Sequence, residues 1–290
     1  MLLDATVWVW LPLLFATATA FTRHKLTAIL LLLVALVCAL IVDRIEFIAF
    51  ITALFVLATA YQLPRLANNQ KGRWVYYSGW ALALIWCAVL FTHAMPGFNN
   101  LQVLDDVKSG PQSIPLSMYL NLDKPLAFFA LLLAYPKLLG ETKRIEFKHI
   151  LLILVSLLSL LPIASFLGAL KVELSLPGWW WLFAVNNLMI TCVAEEALFR
   201  GLIQQYLGRR FNWKVGLVVA GVLFGVAHIA GGGLLVLFAT LAGLGYGLIF
   251  YVTGRLWCAV LAHFLFNFAH LIFFTYPAAA QWLLSCNSSV

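Results

Sequence analysis

Residues 179–203 read WWWLFAVNNLMITCVAEEALFRGLI. An apolar run of this length can cross a bilayer, which takes about 20 mostly apolar residues. It carries three charges: the adjacent Glu195 and Glu196 and, four residues on, Arg200. A charge at the bilayer centre costs about 2.5–3.5 kcal/mol on insertion scales, so two neighbouring carboxylates there mark a functional site. The other acidic residues fall at the ends of apolar runs or between them. Two further apolar runs follow, carrying His228 and then His263 with Asn267.

Working outward, composition sets the class. The chain of 290 residues is 64% hydrophobic and 10% charged, with a mean hydropathy of +0.98. Soluble domains carry about 25% charged residues, so an integral membrane protein is expected. The net charge of +7 does not point to nucleic acid. Its basic residues cluster in short segments between apolar runs, as the positive-inside rule requires, rather than forming a basic face. Cys38, Cys87, Cys192 and Cys258 stand singly in apolar runs, and Cys286 lies in the C-terminal tail. An odd count with no CxxC pair predicts neither a disulfide framework nor a thiolate metal site. The chain begins MLLD, with no basic stretch before its first apolar segment, which is therefore expected to be retained.

Apolar runs lie near 5–22, 26–42, 47–62, 74–93, 125–140, 150–170, 179–206, 214–230, 233–252 and 256–275. The third and fifth are short, and a glycine triplet, Gly231–Gly233, stands at the start of the ninth. The expected fold is all-α, a polytopic transmembrane helix bundle of about 8–10 spans. Alternate breaks hold Arg23 and Lys25; Arg65, Lys71 and Arg73; Lys143, Arg144 and Lys148; Arg209, Arg210 and Lys214; and Arg255. These breaks should be cytoplasmic, with both termini outside. Loop 94–124, with Asp105, Asp106, Pro111 and Pro115, would then be the largest extracytoplasmic feature.

A helix advances about 100° per residue, so Glu196 and Arg200 share a face and can pair. Glu195 points away from that face, which leaves one acid held and the other able to take a proton. Asn187, Thr191 and Glu195 form a polar ladder at four-residue spacing. His228 is a plausible partner for a carboxylate that activates water, although a lone histidine in a span more often bridges two helices. His263 and Asn267, four apart, can donate to a developing oxyanion. His270 reads as packing, and His24, His93 and His149 lie at span ends with no special role.

Three motifs follow in order: EEALFR matches E-E-x-x-x-R, FGVAH matches F-x-x-x-H, and HFLFN matches H-x-x-x-N. On successive apolar runs they resemble the CPBP family of intramembrane proteases. That family includes type II CAAX prenyl endopeptidases and bacterial proteins linked to bacteriocin processing or immunity. The resemblance covers roughly residues 180–275. It implies three regions: helices of unassigned role over 1–175, a catalytic core over 176–276 and a tail over 277–290.

The resemblance also implies a mechanism. Glu195 with His228 would activate a water for attack on a peptide carbonyl, Glu196 and Arg200 would orient the site, and His263 with Asn267 would stabilise the oxyanion. The family has been described both as metalloproteases and as glutamic-type proteases. The chain has no HExxH, yet Glu195, His228 and His263 could hold zinc. That reading uses up the groups the chemistry needs, so a metal-free, glutamic-type site without cofactor is expected, with zinc the alternative. The expected partners are a membrane-associated protein or peptide substrate and the lipid bilayer, with no nucleic acid. The expected location is a bacterial inner membrane. Two rival readings remain: a proton-coupled transporter, against which stand the lack of an inverted repeat and acids confined to one helix, and a non-catalytic immunity or scaffold protein, against which stand the complete motifs.

Overall fold

The computed structural model describes residues 6–67, 73–143 and 146–278. Lys71, Arg144, Cys286 and the tail beyond residue 278 lie outside the described residues. Each expected apolar run holds a helix: α1 (Val7–Ala20), α2 (Lys25–Ile41), α3 (Phe47–Leu66), α4 (Arg73–Phe91) and α5 (Asp123–Ala134), then α6 (Phe147–Phe166) and α7 (Trp180–Arg210), then α8 (Trp213–Val226), α9 (Gly233–Thr253) and α10 (Leu256–Phe273). Among the described residues, α3, α4, α6, α7, α9 and α10 are long and apolar enough to cross a membrane. Helices α1, α2 and α8 are shorter and apolar. The protein is an all-α polytopic membrane protein.

These helices invert the pattern of soluble ones. Their buried faces are narrow stripes rich in small residues, such as Ala28, Ala35 and Ala39 on α2 and Ala49, Ala53 and Ala60 on α3. Their outward faces carry Trp8, Phe15, Ile48, Phe55 and Phe166, all exposed. In lipid, burying apolar area does not drive helix association; close backbone packing does, and small residues permit it.

The chain forms two compact units from interleaved segments. The first comprises residues 1–101, 119–139 and 189–198. In it α1 packs on α2, α3 on α4 and α5, and α5 along residues 193–196 of α7. Helix α5 is buried on nearly every side, as an all-round apolar helix should be. It is shorter than the run at 125–140 suggests. Pro136 disfavours helical backbone at the residue before it, and Tyr135 is extended at φ −128°, ψ 90°. Its first turn is anchored by Asp123, which is 1% exposed. His93 Nδ1 lies 2.6 Å from Asp123 Oδ2, and Asn100 Nδ2 donates to the same oxygen at 3.3 Å. His93 therefore does have a role, in fixing the start of α5.

The second unit comprises residues 102–118, 140–188 and 199–290. Here α6 packs on α9 and α10, and α9 on α8 and α10. Asn212 caps α8, its Oδ1 accepting from Lys214 N and Val215 N at 3.0 Å each. Gly225 lets α8 approach α9 closely: a Cβ there would stand 2.7 Å from the Val236 carbonyl oxygen. The loop expected over 94–124 holds a two-stranded hairpin, β1 (Leu101–Val107) with β2 (Leu116–Leu120). The turn between its strands is clasped by buried Glu173. This carboxylate accepts from Gln112 N at 2.8 Å and from Ser113 Oγ at 2.6 Å.

Candidate active site

Helix α7 is not a uniform α-helix. Only Val193–Glu196 in its centre is α-helical, flanked by π-helical stretches Asn187–Cys192 and Ala197–Gln204. A π turn bonds residue i to i+5, and such turns recur at functional sites. Through these stretches the turns are wider than the α-helical ones assumed for the Asn187–Thr191–Glu195 ladder and for the step from Glu196 to Arg200, and residues four apart still fall near one face.

In the first unit Glu196 is fully buried. Glu195 is not the surplus acid the sequence suggests: Lys124 Nζ lies 3.7 Å from Glu195 Oε1, with 15% and 17% of the two side chains exposed. Lys124 is the second residue of α5, and its own N–H donates to Asp123 Oδ1 at 2.9 Å. The anchor at Asp123 thus fixes the turn that presents the ammonium to Glu195. Lys124 sits outside every motif, and only its place at the start of an apolar run, before Pro125, distinguishes it in the sequence.

In the second unit Phe224, the phenylalanine of F-x-x-x-H, is a hub. Its ring lies 4.8 Å from the His228 ring, 5.5 Å from His263 and 5.9 Å from Tyr246. The Arg200 guanidinium carbon sits 4.7 Å from the Phe224 centroid and 5.3 Å from that of Tyr246. Arg200 is the bulkiest fully buried side chain among the described residues, and its Nη2 donates to Gly243 O at 2.7 Å. Cation–π contact and a carbonyl acceptor offset part of the cost of burying this charge. One turn further along α7, Gln204 Nε2 donates to Gly247 O at 2.9 Å. Two donors spaced four apart on α7 thus grip two carbonyls spaced four apart on α9.

His263 stacks on Tyr246 at 4.5 Å and 14°. His228 Nδ1 lies 2.8 Å from Phe224 O. A carbonyl only accepts, so Nδ1 carries the proton, and in the neutral ring the lone pair is on Nε2. Asn267 Nδ2 donates to Asn187 Oδ1 at 3.3 Å, so α7 orients the amide that α10 presents. The second unit therefore sets Arg200 of α7, His228 of the turn after α8 and His263 of α10 around Phe224, with Asn267 on α10 held by Asn187. It also adds Tyr246 and Gln204, which the motifs do not name. Tyr246 lies in the glycine-rich GLGYGL of α9, where a bulky ring between small residues is the one signal the sequence offers.

Among the described residues no three His, Cys, Asp or Glu side chains form a group able to hold a metal ion. Glu195, which a zinc site would need, has an ammonium beside it instead.

Fold and site together define a polytopic helical membrane protein with a buried charge and two imidazoles set around one phenylalanine in its C-terminal part. Residues 177–269 match the family model for type II CAAX prenyl endopeptidase, Rce1-like. The match covers about a third of the chain and takes in all three motifs, in agreement with the CPBP resemblance they carry. No curated protein and no solved structure matches the chain.

Proposed function

We propose that the protein is an intramembrane endopeptidase that hydrolyses a peptide bond of a membrane-associated protein or peptide in a bacterial inner membrane. The reaction is metal-free and glutamic-type. Glu195, acting with His228, takes a proton from water as its oxygen attacks the scissile carbonyl carbon. The negative charge that develops on the carbonyl oxygen is met by His263 and Asn267. When the C–N bond breaks, the amine leaves with the proton returned from the acid. Glu196 and Arg200 hold the helix carrying the base.

The observation that carries this reading is the Phe224 hub, which sets the arginine and both histidines of three family motifs around one ring. Two features give it support. The Nδ1 contact with Phe224 O selects the tautomer of neutral His228 that leaves its lone pair on Nε2, as a base partner needs. The Asn267 amide is held by Asn187, and preorganised donors are what oxyanion stabilisation requires. The acidic half of the reaction, Glu195 and Glu196 acting with these groups, is part of the proposal.

The test is cleavage of a fluorogenic membrane-anchored peptide by the purified protein in nanodiscs. Glu195→Gln keeps the volume and removes the base, so turnover should disappear while the unfolding midpoint stays near wild type. Undiminished cleavage would sink the role given to Glu195. Exhaustive chelation should leave the wild-type rate unchanged. Stoichiometric zinc, with activity lost on chelation and regained on its return, would overturn the metal-free chemistry.

A further inference from the structure

The second unit contains a cavity of about 200 Å³ that the proposed chemistry does not use. Two cations line it, Lys143 and Arg209, together with the aromatic residues Trp213 and Tyr251. The two rings stack at 4.4 Å and 19°. Lys143 Nζ sits 4.3 Å from the Tyr251 ring centroid and donates to Tyr251 O at 2.8 Å. Arg209 Nη2 lies 3.2 Å from Glu141 Oε1 and 3.2 Å from Gln205 Oε1. With 44% and 65% of their side chains exposed, the Arg209–Glu141 pair is weakly held and readily exchanged for another anion.

The walls are built, not incidental. Lys143 N donates to Thr253 O at 3.2 Å, tying the segment after α5 to the end of α9. Gly140 and Gly254 have φ of +83° and +65°. A Cβ on Gly140 would stand 3.0 Å from the Gly254 carbonyl carbon, and one on Gly254 would stand 3.0 Å from that of Glu141. Backbone meets backbone here at a distance only glycine allows, so the concavity is preformed.

Charge and setting identify the occupant. Lys143 and Arg209 belong to breaks that the positive-inside rule assigns to the cytoplasmic face, with Arg210, Lys214 and Arg255 in the same set. Tryptophan and tyrosine collect at the level of lipid headgroups, and basic pockets between helices on this side suit anionic headgroups. Arginine supplies a fork that matches phosphate, and lysine a point charge. From Trp213, exposed Val215, Val218 and Val222 run along α8 as an apolar stripe on which an acyl chain can lie.

We propose that this cavity binds the phosphate of an anionic phospholipid headgroup, with Lys143 and Arg209 as its ligands and the Trp213–Tyr251 stack as its wall. The site is independent of the proteolytic reading. The test uses delipidated full-length protein titrated with phosphatidylglycerol, phosphatidylcholine or inorganic phosphate, followed by tryptophan fluorescence and by native mass spectrometry of retained lipid. Wild-type protein should retain phosphatidylglycerol over phosphatidylcholine. Replacing both cations by methionine should weaken phosphatidylglycerol at least about tenfold, at unchanged unfolding midpoint. The single reversal Arg209→Glu, at an exposed side chain, should do the same should the double variant fold poorly. Retention of phosphatidylglycerol by both variants as tightly as by wild type would overturn the proposal. So would inorganic phosphate, or a peptide with a free C-terminal carboxylate, binding as tightly as the lipid.

Discussion

Arg200 in the second unit has no exposed surface, and its guanidinium meets two aromatic faces and a carbonyl oxygen. Glu195 in the first keeps 17% of its side chain exposed and has an ammonium at 3.7 Å. Both charges lie on α7, yet they are treated in opposite ways. A charge enclosed on this scale cannot change its protonation or its partner without disturbing the packing around it, so it serves the fold. A charge with some access and a longer, looser partner can exchange a proton. On the proposed mechanism, the contrast separates the group that organises a site from the group that reacts in it.

That contrast can be broken or sharpened, starting with the largest effect. Arg200→Ala should lose about 3–5 kcal/mol of stability, because it empties the space of a fully buried cation that meets two aromatic faces and donates to Gly243 O, and it should lose activity as well. Unfolding in detergent measures this, and a variant as stable as wild type would erase the distinction between the two charges. Asn267→Ala should leave the fold intact and lower kcat by about 10²–10³-fold with little change in KM, as loss of an oxyanion donor does. A rise in KM alone would reassign Asn267 to substrate positioning. Lys124→Met should give the smallest effect. We expect kcat to fall severalfold because Glu195 loses its tether, with a smaller loss of stability than for Arg200→Ala, since both side chains keep some exposure. Unchanged kinetics would make the Lys124–Glu195 pair irrelevant to the chemistry.

The helices were legible because lipid demands long apolar runs, and each run expected from the sequence holds one. Lys124 was not legible, since its partner is remote in the chain and nothing at Asp123–Pro125 announces a role. The same holds for His93, which looks like a span-end histidine until Asp123 is found beside it. Tyr246 was hidden because a stacking platform has no spacing rule. The two π stretches of α7 escaped because polar residues four apart fall near one face in either kind of turn, so their spacing does not distinguish the two. The hairpin in 94–124 was passed over because neither strand alternates cleanly: β1 reads LQVLDDV and β2 LSMYL.

The interleaving of the two units also sets an order of birth. The first unit takes residues 189–198 as well as the N-terminal helices, so a nascent chain cannot complete it until α7 has been made. At roughly 5–20 residues per second, α1 to α5 wait several seconds in the translocation machinery with α5 lacking its packing surface along residues 193–196. A ribosome that stalls before α7 leaves behind an unfinished body rather than a finished half. Truncated products of this gene should therefore be cleared by membrane quality control instead of accumulating as stable fragments.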